Sequence, residues 1–377
     1  MKILATLALV FFCICSSFQA FSQANYVRTA MPFLHIAPDA KASSMGETGV
    51  ATTPDLSNIY WNNAKLAFLG GDYGGSASYT PWLSQLKSGI TSMYFTGFRK
   101  FDDSQAIGLS INYFTLGTVK FYDEVGNDIG KYNPNEFSIE VAYAKQLSEN
   151  MSLGITGKFL HSDLGTGQNV GSVGITPAST AAFDFGWYYE HPMQNDARIS
   201  FGAFLSNIGP KIKQSTGSNG QYLPMNLRLG TQVHLEGYEN GINFSLDINK
   251  LLVPTPPVYL KDSSGSNTNV ILRGSDPNRS IPAAIFGSFG DAPGGFSQQI
   301  KQFTVGVGAE YGIQHKFFLR TGYHYENASL GDSRYVTTGL GYTGPSLRLD
   351  FSYIVPFGQY NPYKGTFRIT IGVNIVQ

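Results

Sequence analysis

Ser104-Gln-Ala-Ile-Gly-Leu-Ser-Ile-Asn-Tyr-Phe-Thr-Leu116 is the stretch that decides the fold. Its apolar series Ile107, Leu109, Ile111, Tyr113 interleaves with Gly108, Ser110 and Asn112. Successive side chains of an extended chain point to opposite faces, so a period of two marks a strand with one apolar face. The signature recurs outward from there. Phe137, Ile139, Val141 and Tyr143 alternate with Ser138 and Glu140, and Ile242, Phe244, Leu246 and Ile248 with Asn243, Ser245, Asp247 and Asn249. Near the end, Leu347, Leu349, Phe351 and Tyr353 alternate with Ser346, Arg348, Asp350 and Ser352, and Phe367, Ile369, Ile371 and Val373 with Arg368, Thr370 and Asn374. The pattern predicts strands over 74–82, 89–99, 104–116, 136–147, 151–161, 180–191, 197–207, 223–236, 241–251, 300–312, 316–327, 334–344, 346–356 and 365–376. No long amphipathic helix is expected after residue 74.

Composition points the same way. Charged residues make up 14% of the 377, against roughly 25% in soluble domains, while Phe (27), Tyr (22) and Gly (43) are abundant. With a mean hydropathy of only -0.10, apolar residues must fall on alternate positions rather than in blocks. A membrane barrel requires this, because lipid and lumen faces alternate along each strand. The expected fold class is therefore all-β, a transmembrane antiparallel β-barrel of about fourteen strands, an even number as in bacterial single-chain barrels. A soluble β-sandwich also shows alternation and regular turns. It does not account for strands of ten or more residues, the length a tilted strand needs to cross about 30 Å of hydrocarbon. A net charge of zero, with no basic patch among aromatics, argues against a nucleic-acid partner and leaves outer-membrane lipid as the expected surroundings.

Residues 1–24 read as a signal peptide: Lys2 begins it, Ile3 to Cys15 form an apolar core, and Ser22-Gln23-Ala24 supplies small residues for cleavage before Asn25. Both cysteines, Cys13 and Cys15, lie in that core, so the mature chain needs no disulfide. Phe12 and Ile14 before them speak against a lipoprotein site.

Connection lengths alternate. Those at 100–103, 148–150, 192–196, 237–240, 313–315 and Gly344-Pro345 are tight and rich in turn residues. Those at 117–135, 162–179, 208–222 and 252–299 are long. Outer-membrane barrels have short periplasmic turns and longer external loops, so both chain ends are expected in the periplasm. The chain divides into the signal peptide, a segment at 25–73 and the barrel at 74–377.

Residues 25–73 break the strand pattern. They carry Pro32, Pro38 and Pro54, the small-residue run Ala40 to Gly49, and Tyr60-Trp61-Asn62-Asn63-Ala64. A lumen of about fourteen strands leaves a pore unless something fills it, and this segment is the available plug. A mobile periplasmic tail is the alternative, but it would leave Phe33, Leu34, Met45 and Trp61 in water. The loop 252–299 holds six prolines. Its apolar part, with Ile281, Ile285, Phe286 and Phe289, suits a surface contact, although a flexible solvated loop fits as well.

Catalytic candidates are sparse. His35, His161, His191, His234, His315 and His324 stand singly, with no metal-binding spacing and no Gly-x-Ser-x-Gly elbow. Gly165-Thr166-Gly167 lacks the helix a phosphate loop needs. Neither an enzyme nor a cofactor is expected. Glu140, Arg228, Asp247, Glu310, Arg320, His324, Arg348, Asp350 and Arg368 fall on polar faces. Their mixed signs suit pairing with one another and with the plug better than tuning a pore.

Three stretches carry a family resemblance. Met31-Pro-Phe-Leu-His-Ile-Ala-Pro-Asp-Ala40 is followed by Lys-Ala-Ser-Ser-Met-Gly-Glu-Thr-Gly-Val-Ala51 and later Ser57-Asn-Ile-Tyr-Trp-Asn-Asn-Ala-Lys-Leu66. Together they resemble the PorV family of type IX secretion systems in Bacteroidota, whose wider relatives are FadL-like barrels with an N-terminal hatch. The motif positions are Pro32, Phe33, Leu34, Pro38, Asp39, Met45, Gly46, Glu47, Trp61, Asn62 and Asn63. Asn63 stands where the wider family has proline, and the chain ends Val376-Gln377 rather than on an aromatic residue. The resemblance implies an outer-membrane subunit that takes cargo with C-terminal signal domains from an SprA-type translocon barrel and passes it to a PorU-type sortase at the surface. A FadL-like transporter of hydrophobic small molecules is the alternative.

Overall fold

The alternation of the sequence becomes the two faces of a wall. In the strand Gln105–Thr115, Ile107, Leu109, Ile111 and Tyr113 are exposed outside, while Ala106, Gly108, Ser110, Asn112 and Phe114 are buried. The computed structural model describes residues 27–375 apart from 123–124, 171–172, 218, 238, 328–330, 332 and 358–360. The expected signal peptide, its cleavage before Asn25 and the final Val376-Gln377 lie outside these residues.

Fourteen strands form the wall: β1 (Tyr73–Pro81), β2 (Thr91–Asp102), β3 (Gln105–Thr115), β4 (Asn135–Ser148), β5 (Met151–Asp163), β6 (Ala178–Pro192), β7 (Arg198–Ile208), β8 (Asn226–Glu236), β9 (Asn240–Leu251), β10 (Phe303–Ile313), β11 (Phe317–Tyr325), β12 (Tyr335–Thr343), β13 (Leu347–Pro356) and β14 (Phe367–Ile375). Each pairs with the next, and β1 pairs antiparallel with β14 from Tyr73↔Ile375 to Tyr79↔Ile369, so the barrel closes. Closure gives the ladder partners that hydrocarbon cannot supply.

Two strand starts differ from expectation. β8 begins at Asn226 rather than residue 223, because Pro224 has no N–H to give the ladder; Leu223 and Met225 are instead buried beneath the loops. β10 begins at Phe303 because 295–300 coils into a helix and the N–H of Gln302 bonds to Gln299. β2 likewise runs three residues past its expected end, to Asp102, and the other ends lie within two residues of those expected.

Tight turns close one end of the barrel and longer connections the other. At two tight turns, Asn195-Asp196 and Gln314-His315, both residues have positive φ, as two-residue hairpin loops need. The long connections carry structure of their own. One holds the hairpin Val119–Tyr122 with Asp128–Tyr132. Another, the connection at 252–299, holds the hairpin Val258–Lys261 with Asn267–Arg273 and two short helices, Ile281–Gly287 and Gly295–Ile300.

The N-terminal segment lies along the barrel interior. It comprises a 3₁₀ turn at Pro32–His35, short helices α1 (Ala40–Ser43) and α2 (Asn58–Trp61), and a second 3₁₀ turn at Asn63–Phe68. Asp39 caps α1 by accepting the N–H of Ala42 at 3.0 Å. At one end Ala30 donates to the carbonyl of Tyr222, among the long connections; at the other Asp72 donates to Ile375, at the tight-turn rim. The expectation places both chain ends on the tight-turn side. β1 starts and β14 ends there, but the first described residues lie at the opposite mouth. A strand count fixes only where strands end, not the path of a non-strand segment.

Candidate functional site: the barrel interior

Wall and segment are joined by hydrogen bonds from the polar inner face. Asp247 on β9 accepts the backbone N–H groups of Gly49 and Val50 at 2.7 and 2.9 Å. Gln232 on β8 accepts from Thr53, and Thr337 on β12 accepts from Gly46 and donates to Ser44. Asn62 donates to the carbonyls of Val50 and Trp187, and Asn63 to the hydroxyl of Thr156 at 2.7 Å. Within the segment, Trp61 donates to Asp39, and Lys65 bonds Gly49 and Thr52.

The fit depends on missing side chains. Gly46 has φ 68, a conformation glycine adopts without steric cost. A Cβ at Gly322 on β11 would strike the backbone of Met45 and Gly46, and one at Gly186 on β6 would strike Asn63. Phe33 and Leu34 pack in an apolar cluster with Phe114, Leu160, Ala182 and Leu223. Pro32 begins the first turn, its side chain exposed, and Pro38 precedes the Asp39 cap. Asn62 caps the second 3₁₀ turn by accepting from Ala64.

Charges buried in the segment feel their surroundings. Burial pushes the carboxyl of Asp39 up, with the charge of Asp55 adding to it. Burial opposes the charge of Asp55 as well, but Lys41, Lys65 and Arg348 outweigh it and hold this carboxyl well below the usual range. Removal from bulk water, then the nearby Arg228, lowers His35 to about 4.

The inward charges named from the sequence form pairs and caps. Arg320 reaches Glu310 at 2.5 Å and Asp350 at 2.6 Å, and Arg348 adds to Asp350 at 2.7 Å. Arg368 donates to the carbonyl of Ala37 and lies 3.8 Å from Glu47. Glu47 also accepts from Tyr335 and faces His324 at 3.9 Å. Glu140 pairs with Lys158, which binds Asp184 at 2.8 Å. Lys158 and Asp184 were missed by the sequence reading, although Asp184 alternates with Phe183 and Phe185 and so carried the signal. Lys41 and Asp55, paired at 3.0 Å inside the segment, had no periodicity to reveal them.

The loop residues divide. Ile281 and Ile285 pack with Tyr222, Met225, Leu252 and Val253, while Phe286 and Phe289 are exposed, as are Phe296 and Ile300 nearby. Gly165 and Gly167 both take positive φ in the connection after β5. A cavity of about 870 Å³ lies at the long-connection end, floored by Phe33, His35, Ile36 and Trp61 of the N-terminal segment.

A closed fourteen-strand antiparallel barrel, apolar outside and polar within, defines an outer-membrane β-barrel protein. The chain belongs to the PorV family: the family described as type IX secretion system protein PorV matches residues 19–258. It is thus an outer-membrane component of type IX secretion. No curated protein sequence matches the chain. Among solved structures it is similar to the toluene transporter TodX of Pseudomonas putida, at 10% identity over 93% of this chain and 98% of that one, with a TM-score of 0.53. It is similar too to the monoaromatic hydrocarbon channel CymD, at 13% identity over 90% and 96%, with a TM-score of 0.50. At these identities the similarity shows the fold.

Proposed function

We propose that this barrel is a non-enzymatic contact platform of the type IX machinery, receiving cargo with C-terminal signal domains from an SprA-type translocon barrel and delivering it to a PorU-type surface sortase. The family match carries this reading. The N-terminal segment serves as the plug: a lumen occupied from Ala30 to Leu69 and tied to inward side chains offers little path for a folded solute, so work is done by the external face. The long connections, with Phe286 and Phe289 exposed, supply that face. The tight turns are assigned to the periplasm, and residues 1–24 to a cleaved signal peptide.

Deleting the gene is expected to leave cargo in the periplasm with uncleaved C-terminal signals. Processed cargo on the surface of the deletion strain would overturn the proposal. A second reading, transport of hydrophobic small molecules, draws on the cavity and on the fold shared with TodX and CymD. Affinity purification of the tagged barrel separates the two: a very large barrel and signal-bearing cargo favour the first, a bound apolar molecule alone the second.

A further inference from the structure

Most inward-facing charges of the wall meet an opposite charge or cap the N-terminal segment, as described above. Three that line the cavity at the long-connection end have no opposite charge within ion-pair distance among the described residues: Lys250, which donates to Gln302 at 2.7 Å, and two others, Arg228 and Glu136. Arg228 on β8 is 6% exposed; it donates to the carbonyl and hydroxyl of Tyr60, stacks over Tyr60 and Trp61, and reaches the amide oxygen of Asn226 once that amide is turned. Glu136 on β4 is 4% exposed and accepts from Ser162 at 2.6 Å. Among the described residues neither has an opposite charge within ion-pair distance. A charge buried without a counter-charge is costly, and here two of opposite sign face one cavity from different parts of the wall.

Apolar side chains supply much of the lining, beside the polar Gln214, Gln221 and Lys250. Phe114 sits directly across the β3–β4 ladder from Glu136, and Trp82, Ile90, Leu116 and Phe33 extend the same lining. At about 870 Å³ the space is in the range of organic-ligand sites. A pure hydrocarbon would leave both charges as they are. A molecule with an apolar body, an ammonium and a carboxylate would neutralise both.

We propose that this cavity binds an apolar-bodied zwitterion, its ammonium on Glu136 and its carboxylate on Arg228, the chemistry of a short apolar peptide with free ends. The site is independent of the cargo-handling role. Its test uses the purified full-length barrel in detergent, titrated with apolar peptides of graded length that have free ends, an acetylated N-terminus, an amidated C-terminus, or both blocks. Binding is read by calorimetry and by the fluorescence of Trp61 and Trp82, which line the cavity. One length with free ends is expected to bind, and blocking either end to weaken it roughly ten-fold or more. Glu136→Gln should remove the penalty of acetylation and Arg228→Gln that of amidation. Doubly blocked peptides binding as tightly as free ones, or no binding of any length at about 1 mM, overturns the proposal. If a variant fails to fold, the comparison of blocked and free peptides on the unaltered protein still decides.

Discussion

Asp247 is placed by strand alternation on the inner face of β9, where one of its oxygens takes two backbone N–H groups of a segment 197 and 198 residues away in sequence. Bonds to an ionised acceptor are the stronger kind, and removing it leaves two buried donors unmet. Asp247→Ala is expected to loosen the segment by about 2–4 kcal/mol, read as new protease cleavage at Lys41 or Lys65 while the barrel still migrates as folded. His35 gives a pH test. Its folded pKa of about 4 lies below the ordinary histidine value of 6.5, so between these values the released state binds more protons than the seated one. The seating of the segment is therefore full above pH 6.5, weakens as pH falls towards 4, and changes no further below it through this group. Fluorescence of the buried Trp61 followed from pH 7 to 4 checks this, with His35→Gln expected to flatten the response.

At the scale of elements, the connection between β9 and β10 is fastened at its base and apolar at its tip. Asp291 accepts the N–H and hydroxyl of Thr255, Gln302 donates to Thr255, and Lys250 donates to Gln302 at 2.7 Å. Beneath the helix Ile281–Gly287, Ala284 is buried with Leu252 and Val253. Phe286 and Phe296, 79% and 80% exposed, have no such support. Isolated exposed apolar residues are common, but two on adjoining short helices of a fastened loop suit partner contact. Changing both to Asp is expected to leave barrel folding unaltered and to reduce the recovery of secretion partners in a pull-down. Unchanged recovery removes this loop from the proposed interface.

For the whole molecule, the path of the N-terminal segment makes a prediction that the strand pattern opposes. Arg28 is exposed at the end of the barrel where Ala30 bonds Tyr222, which on the proposed orientation is the cell exterior. Since the only cysteines precede Asn25, Arg28→Cys in whole cells should react with a membrane-impermeant maleimide. A thiol introduced at the tight turn Asn195 should not. The opposite pattern would reverse the orientation.

Much of this was legible in residue order. Two-fold alternation is local, dictated by how an extended chain points its side chains, so Ile107 to Tyr113 announced both a strand and its outward face. The inward positions of Arg320, Asp350 and Asp247 followed from the same rule, as those of Lys158 and Asp184 could have. The starts of β8 and β10 went astray where local chemistry, Pro224 and the 295–300 helix, interrupts a pattern that periodicity alone would continue.

By itself, then, the sequence determined about fourteen two-faced strands, alternating connections, and a segment too irregular to be strand, with apolar residues that a tail would leave in water. Only the tertiary structure decided that this segment runs from the long-connection mouth to the opposite rim, that Gly322 and Gly186 make room for it, and that among the described residues Arg228 and Glu136 meet no counter-charge. Those facts depend on distances between strands remote in sequence. Periodicity fixes which face a side chain occupies, but closure of the barrel fixes what it meets there.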